Sequence, residues 1–245
     1  MTEKESDLPE FLYKYINIER GLSLISESKI WFSSPENFND PFDCHIDLIN
    51  FKPNEKQIKE IINAKLKGNN RTRRIEIQKN KRNPYRIINQ FSAQADDLFK
   101  NSGVFCYSEI PDNMLLWSHY ADNHKGICLK FSRDITKIST LTDRVIYTEN
   151  YERKSFYEKN GESIHHLLFT KSEDWKYEKE IRSVNILENG KVDFPIENLR
   201  EIIFGCRVNE NEMKKIKEKI MELNLSHIKF KTAKQEKLSF KLKIE

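Results

Sequence analysis

The chain has 245 residues and is 38% hydrophobic, enough to close a sizeable core in one large domain. Its 42 basic and 38 acidic side chains are interspersed, so the formal charge of +4 is a small difference between large numbers and not the signature of a nucleic-acid binder. No run of roughly eighteen apolar residues occurs, and Met1–Pro9 lacks the apolar core of a signal peptide, which predicts a cytoplasmic protein without a membrane span.

Phe11–Tyr15 reads as a strand with Phe11, Tyr13 and Tyr15 on one face and Lys14 on the other. Glu19–Ser28 spaces its leucines loosely as a helix opened near Gly21, and Ile30–Ser33 is a second strand. Ser34-Pro35 predicts an N-cap and a single helical turn ending near Phe38. Asn39-Asp40-Pro41-Phe42-Asp43 is turn chemistry. Its side chains either bond their own backbone or present Asp40 or Asp43 to a ligand walled by Trp31, Phe32, Phe38 and Phe42.

Ile58, Ile61, Ile62 and Leu66 recur at helical spacing between Asn54, a candidate cap, and Gly68. Residues 67–82 form a strongly basic helical or mobile insertion. It is a solvated segment or a patch for nucleic acid or an acidic partner, the former favoured because no stacking aromatic appears before Tyr85. Asn83-Pro84 opens a helix with the apolar stripe Ile87, Ile88, Phe91, Ala95, Leu98 and Phe99, and Val104–Tyr107 follows as a strand.

Pro111-Asp112 starts a short helix into the densest stretch of the chain, which sets Trp117, His119, Tyr120, Asp122, Asn123 and His124 before Gly126. A helix through Tyr120 puts Trp117 and Tyr120 on one face and His119 away from both. The two histidines are five apart, not the i, i+4 pair of a helical metal site, so no metal is expected. Ile127, Leu129 and Phe131 alternate as a strand whose expected partner is Arg144–Thr148, and Tyr151–Thr170 reads mainly as helix. Trp175–Ile186, read as a strand, places Glu178, Glu180, Arg182, Val184 and Ile186 on one face. Charges there are tolerated only as an internal pair or facing a polar site.

Val192–Phe194 and Glu201–Phe204 are strands around a turn at Pro195, and Asn209 caps a basic amphipathic helix through Leu223. Ile228–Lys231 and Leu238–Ile244 close the chain as lysine-rich strands suited to a sheet edge. Cys44, Cys106, Cys128 and Cys206 form no CxxC pair and read as reduced core thiols. The whole predicts a single α+β domain over residues 1–245, with a mixed or mostly antiparallel sheet and helices packed on its faces.

Four blocks carry a family resemblance. Leu12–Tyr15, Trp31–Pro35 through Asn39–Asp43, Leu116–Ala121 with His124–Gly126, and Trp175 with Glu178, Glu180 and Arg182 resemble the bacterial domain-of-unknown-function family 2971, over about residues 12–205. The Trp117–Ala121 and His124–Gly126 block also resembles abortive-infection proteins of the AbiGi type, which implies a role in phage defence. More distantly, Tyr13-Lys14-Tyr15, Trp31–Ser34 and Glu178-Lys179-Glu180 are similar in order to the three strand motifs of ADP-ribosyltransferases. That likeness implies NAD as substrate and Glu180 as the catalytic acid, with Lys14 where an Arg or His is usual.

Two classes stay open. In an enzyme, His119, His124, Glu178 and Glu180 are the catalytic candidates, and Tyr13, Lys14, Asn39, Asp40, Asp43, Trp117, Tyr120 and Arg182 hold the substrate. In a binding protein, the same residues recognise a nucleotide or other small ligand in a regulatory or defence system that includes a protein partner.

Overall fold

Phe11–Ile16 forms β1, whose backbone pairs with a strand along each edge and whose alternate side chains pack on the two faces. The structure is a computed structural model and describes residues 7–65, 70–83, 85–157, 161–186 and 188–245. Around β1 stand β4 (Gly103–Ser108), β5 (Ile127–Ser132), β6 (Leu141–Arg144), β10 (Glu180–Asn185), β12 (Leu199–Phe204), β13 (Lys229–Gln235) and β14 (Leu242–Ile244). They form an eight-stranded sheet in the order β14-β13-β12-β5-β1-β4-β10-β6. Only β12 and β13 run parallel, so the fold is α+β with a mixed, mostly antiparallel sheet.

By its contacts the chain divides into two units. The first comprises the described chain up to Ser34 together with Ser102–Val145 and Asp174–Glu245, and the second comprises Pro35–Asn101 and Ile146–Glu173. In the first unit, one sheet face carries the main core: Leu12, Leu129, Phe131, Ile181, Ile202 and Phe204, closed by Leu24 and Ile25 of α1 (Ile18–Glu27) and by Ile216 and Ile220 of α7 (Glu210–Glu222). Both helices begin where an asparagine accepts from the first turn, Asn17 from Arg20 N and Asn209 from Glu212 N. The helix expected to open at Gly21 runs through it instead. A Cβ there would sit 2.6 Å from Ile127 Cδ1, so the missing side chain lets α1 lie close on β5.

The other face carries a smaller cluster of Tyr15, Trp117, Cys128, Ile203 and Ala233. It is covered by α5 (Met114–Tyr120), which starts at its cap Asn113 rather than at Pro111-Asp112. The short ribbon of β2 (Lys29–Phe32) with β11 (Gly190–Asp193) completes this unit's strands.

Three strand expectations are corrected. Arg144–Thr148 does not pair with Ile127–Phe131: β5 is buried along most of its length and needs two strand neighbours, which are β1 and β12. Arg144 instead ends β6, whose polar residues suit the sheet's end, where it pairs with β10. Glu178 is not on the strand face, because it ends a 3₁₀ turn over Glu173–Glu178 and Lys179, at φ 44°, turns the chain before β10 begins. The last strand begins at Leu242, not Leu238, whose φ of 57° places it in the preceding turn.

In the second unit, α2 (Glu55–Lys65) is closed by a reciprocal cap in which Asn54 and Gln57 exchange bonds of 2.8 and 2.9 Å. Leu66, Gly68 and Pro84, and Lys67 of the basic segment, lie outside the described residues. The rest of that segment is α3 (Asn70–Arg82), whose Lys81 pairs with Glu55 and Lys79 with Glu76. In α4 (Tyr85–Asn101), Ala95 and Phe99 are buried as the stripe requires, whereas the side chains of Ile87 and Phe91 lie outside the description.

The long helix expected over Tyr151–Thr170 shrinks to α6 (Glu162–Phe169). Arg153 donates to the carbonyls of Asp47 and Ile49, which leaves β8 (Lys154–Ser155) extended beside β3 (Ile49–Asn50). β7 (Ile146–Thr148) and β9 (Thr170–Ser172) form a further parallel pair. No helix among the described residues is long and apolar enough to cross a membrane.

Candidate functional site: a polar row across the sheet

Residues directly opposite on neighbouring strands project from the same face. On the face that carries α5, the registers link Glu180 to Ser108, Ser108 to Tyr13, Tyr13 to Lys130, Lys130 to Glu201 and Glu201 to Lys229. One polar row therefore crosses six strands, with neighbours about 5 Å apart. Nearer the core, the next positions on this face are Arg182, Cys106, Tyr15, Cys128, Ile203 and Lys231.

At the β10 end the row is dry. Arg182 is wholly buried and its fork clasps Glu180, with Nε 2.7 Å from Oε1 and Nη2 3.3 Å from Oε2. Asp143 stands opposite Arg182 on β6 and is also buried, and its Oδ1 accepts from Arg144 N at 2.9 Å. Glu178, buried at the end of its turn, accepts from the Tyr120 hydroxyl at 2.8 Å. Ser108 Oγ donates to the Glu178 carbonyl at 2.6 Å, and Asn113 Nδ2 to the Tyr177 carbonyl at 2.9 Å, which fixes this turn against β4 and α5. Burial and the neighbouring Glu180 push the Cys106 thiol up, so it stays protonated.

In the middle of the row, Tyr13 is half-buried, and burial, with Cys128 and Glu201 adding to it, pushes its phenol up to about 12. It stays a neutral donor at physiological pH. At the β13 end the row is wetter: Lys130 Nζ lies 3.1 Å from Glu201 and 4.0 Å from the centre of the Phe11 ring, and Lys231 reaches Glu201 at 3.7 Å.

The remaining candidates lie elsewhere. Lys14 projects from the opposite face, over the Phe105 ring, and donates to the Cys106 carbonyl at 2.9 Å. Trp117 is fully buried, edge-on to Tyr15, and its indole N–H donates to the Pro111 carbonyl. His119 is exposed, its ring 6.2 Å from that of Tyr120.

His124 closes a turn in which Asp122, Asn123 and His124 all have positive φ, of 45°, 53° and 70°. Its N–H donates to the Trp117 carbonyl and its carbonyl accepts from Arg207 N. A Cβ on Gly205 would lie 2.1 Å from the His124 oxygen, and one on Gly126 would lie 2.5 Å from the Ile16 oxygen. Both glycines are required by backbone contact, so the His-Lys-Gly and Gly-Cys-Arg segments interlock. Burial and the Arg207 charge lower the His124 pKa.

Asn39, Asp40 and Asp43 belong to the second unit. There Asp40 Oδ1 accepts from Phe42 N at 2.9 Å, the local turn bond that its sequence favours, and buried Asp43 faces Lys171 at 3.5 Å. Asn39 and Phe42 are exposed. Sequence reasoning missed Ser108, Asp143, Glu201 and Lys229, because strand register alone assembles them. Lys130 carried a readable signal as the one charge in an apolar alternation.

Fold and row together define an α+β protein with a polar sheet face and, among the described residues, no cluster of three or more His, Cys, Asp or Glu able to hold a metal. Residues 116–183 match the family described as "Protein of unknown function (DUF2971)", the family that the sequence blocks resemble. The match runs from Leu116 of α5 to Ser183 of β10, so it includes the His124 turn and Glu178, Glu180 and Arg182. No curated protein and no solved structure matches the chain.

Proposed function

We propose that the protein is a transferase acting on NAD or a related nucleotide, with Glu180 as its carboxylate and Tyr13 as the early-strand partner. The observation that carries this reading is the alignment of Glu180, Ser108 and Tyr13 on one face of three adjacent strands. The resemblance to ADP-ribosyltransferases asks for such a pair of early-strand and late-strand residues on a common face. Lys14 lies on the other face, so Tyr13 takes the early-strand place. As the glycosidic bond to nicotinamide breaks, positive charge grows on the ribose, and a carboxylate held in fixed orientation stabilises it. The Arg182 fork supplies that orientation. Glu178, tied to Tyr120, positions the turn that leads into Glu180.

The test is transfer of label from NAD by the full chain to components of a bacterial extract. Glu180→Gln abolishes transfer, and Tyr13→Phe, which keeps the packing, reduces it at least tenfold with an unchanged melting temperature. Transfer that persists in both variants overturns the reading.

A second reading rests on the close pairing of Glu180 with Arg182: the protein binds a nucleotide without turning it over. NAD then raises the melting temperature and no nicotinamide is released. A place in phage defence, with a protein partner, is supported by the likeness of the Trp117–Gly126 block to abortive-infection proteins; plaque counts with and without expression test it. The ion pairs of Lys79, Lys81 and Arg86 with Glu76 and Glu55 support a solvated helix for the basic segment rather than a nucleic-acid patch.

A further inference from the structure

We infer that the groove at the β13 end of the row is a binding site for a phosphorylated small molecule, distinct from the residues around Glu180. The groove has a volume of about 450 Å³ and is lined by Phe11, Lys130, Arg133, Arg200, His227 and Lys229, with Glu10, Asp134 and Glu201 as its acids. That volume lies in the range of sites for nucleotide-sized ligands.

Charge balance favours an anion. Glu201 is already shared by Lys130 and Lys231, and Asp134 is held by Lys137 at 2.6 Å. Arg200 and Lys229 are exposed and come within ion-pair distance of no carboxylate among the described residues, although Arg133 and Arg200 add to Lys137 in keeping Asp134 ionised. Arg133 spends one nitrogen on the Leu8 carbonyl at 2.7 Å, which anchors its guanidinium at the groove wall.

The backbone carries the second argument. In β12 the register with β5 slips between Leu199, opposite Phe131, and Glu201, opposite Lys130. Arg200 is thus the extra residue of a β-bulge, and a bulge re-aims the side chain it carries. Here it brings a guanidinium to the groove that Arg133 and Lys229 also line. Two planar forks and a point charge suit the several oxygens of a phosphate or diphosphate.

Calorimetric titration of the full chain with inorganic pyrophosphate and with ADP, at low salt, tests the site. Both probes bind the wild type, and Arg200→Ala with Lys229→Ala raises both dissociation constants at least tenfold without moving the melting temperature. Lys214→Ala with Lys215→Ala on α7 leaves both constants unchanged. Equal affinity in wild type and the groove variant overturns the inference, as does absence of binding by either probe. Binding of an RNA oligonucleotide without binding of pyrophosphate overturns it in favour of a nucleic-acid surface. The titration reads no turnover, so its failure is separate from any failure of Glu180 as a catalytic group.

Discussion

The turn at Asp122–Gly126 and the row from Glu180 to Lys229 are both polar, yet they are put together in opposite ways. The turn gathers imidazole, amide and carboxylate within a few consecutive residues, yet backbone closure is what holds it: its N–H and C=O groups bond Trp117, Ala121 and Arg207, and glycine is required where the segments touch. The row draws one residue from each of six strands and leaves its β13 end open to water. Local density of chemical groups in a sequence can thus mark a pinned backbone, while a site assembled by register leaves no local trace.

The sharpest way to break this contrast is Gly205→Ala. Its Cβ meets backbone rather than a side chain that can yield, so a loss above about 4 kcal/mol, or failure to fold, is expected in urea unfolding. Survival with a small change would mean that the turn is not an interlock. Next, Arg182→Met leaves Glu180 buried beside Asp143 without its fork and costs about 3–5 kcal/mol. The double change with Glu180→Leu costs less than the sum of the singles, which a double-mutant cycle reads directly.

Tyr120→Phe removes a hydrogen bond to the Glu178 carboxylate and costs about 1.5–3 kcal/mol by thermal melting. A smaller effect comes from His124. Its folded pKa lies below the unfolded value of about 6.5, so the unfolded chain binds more protons as pH falls through that value. Stability is therefore full above about pH 6.5 and declines as pH drops toward the lowered folded pKa, and His124→Gln flattens that part of the pH–stability curve. At the open end of the row, Lys229→Ala alters stability by less than about 0.5 kcal/mol, as an exposed position should.

Much of the fold was readable from local chemistry. The caps at Asn54 and Asn209, the turn at Pro35 and the apolar alternation of Ile127–Phe131 are written in adjacent residues and stand as read. Strand partners are not local: the sequence pattern places Arg144–Thr148 beside β5, whereas β1 and β12 flank it. The division into two units is also hidden, since the second is built from two insertions that carry no linker-like composition. Of the candidate site, Glu180 and Arg182 were legible as charges in an apolar strand. Lys14 and Tyr13 were separated by their strand alternation, but which face Glu180 shares depends on register. The left-handed run before Gly126 has no signal in residue type beyond Asp and Asn, which tolerate it.

The position of β1 has a consequence during synthesis. One of this strand's flanking partners, β5, begins only at Ile127, roughly a hundred residues later in the chain. At about 5–20 residues per second, β1 waits several seconds or longer with unmatched backbone groups and the apolar side chains of Leu12 and Tyr15 uncovered. Newly made chains pass through that interval before the sheet can close.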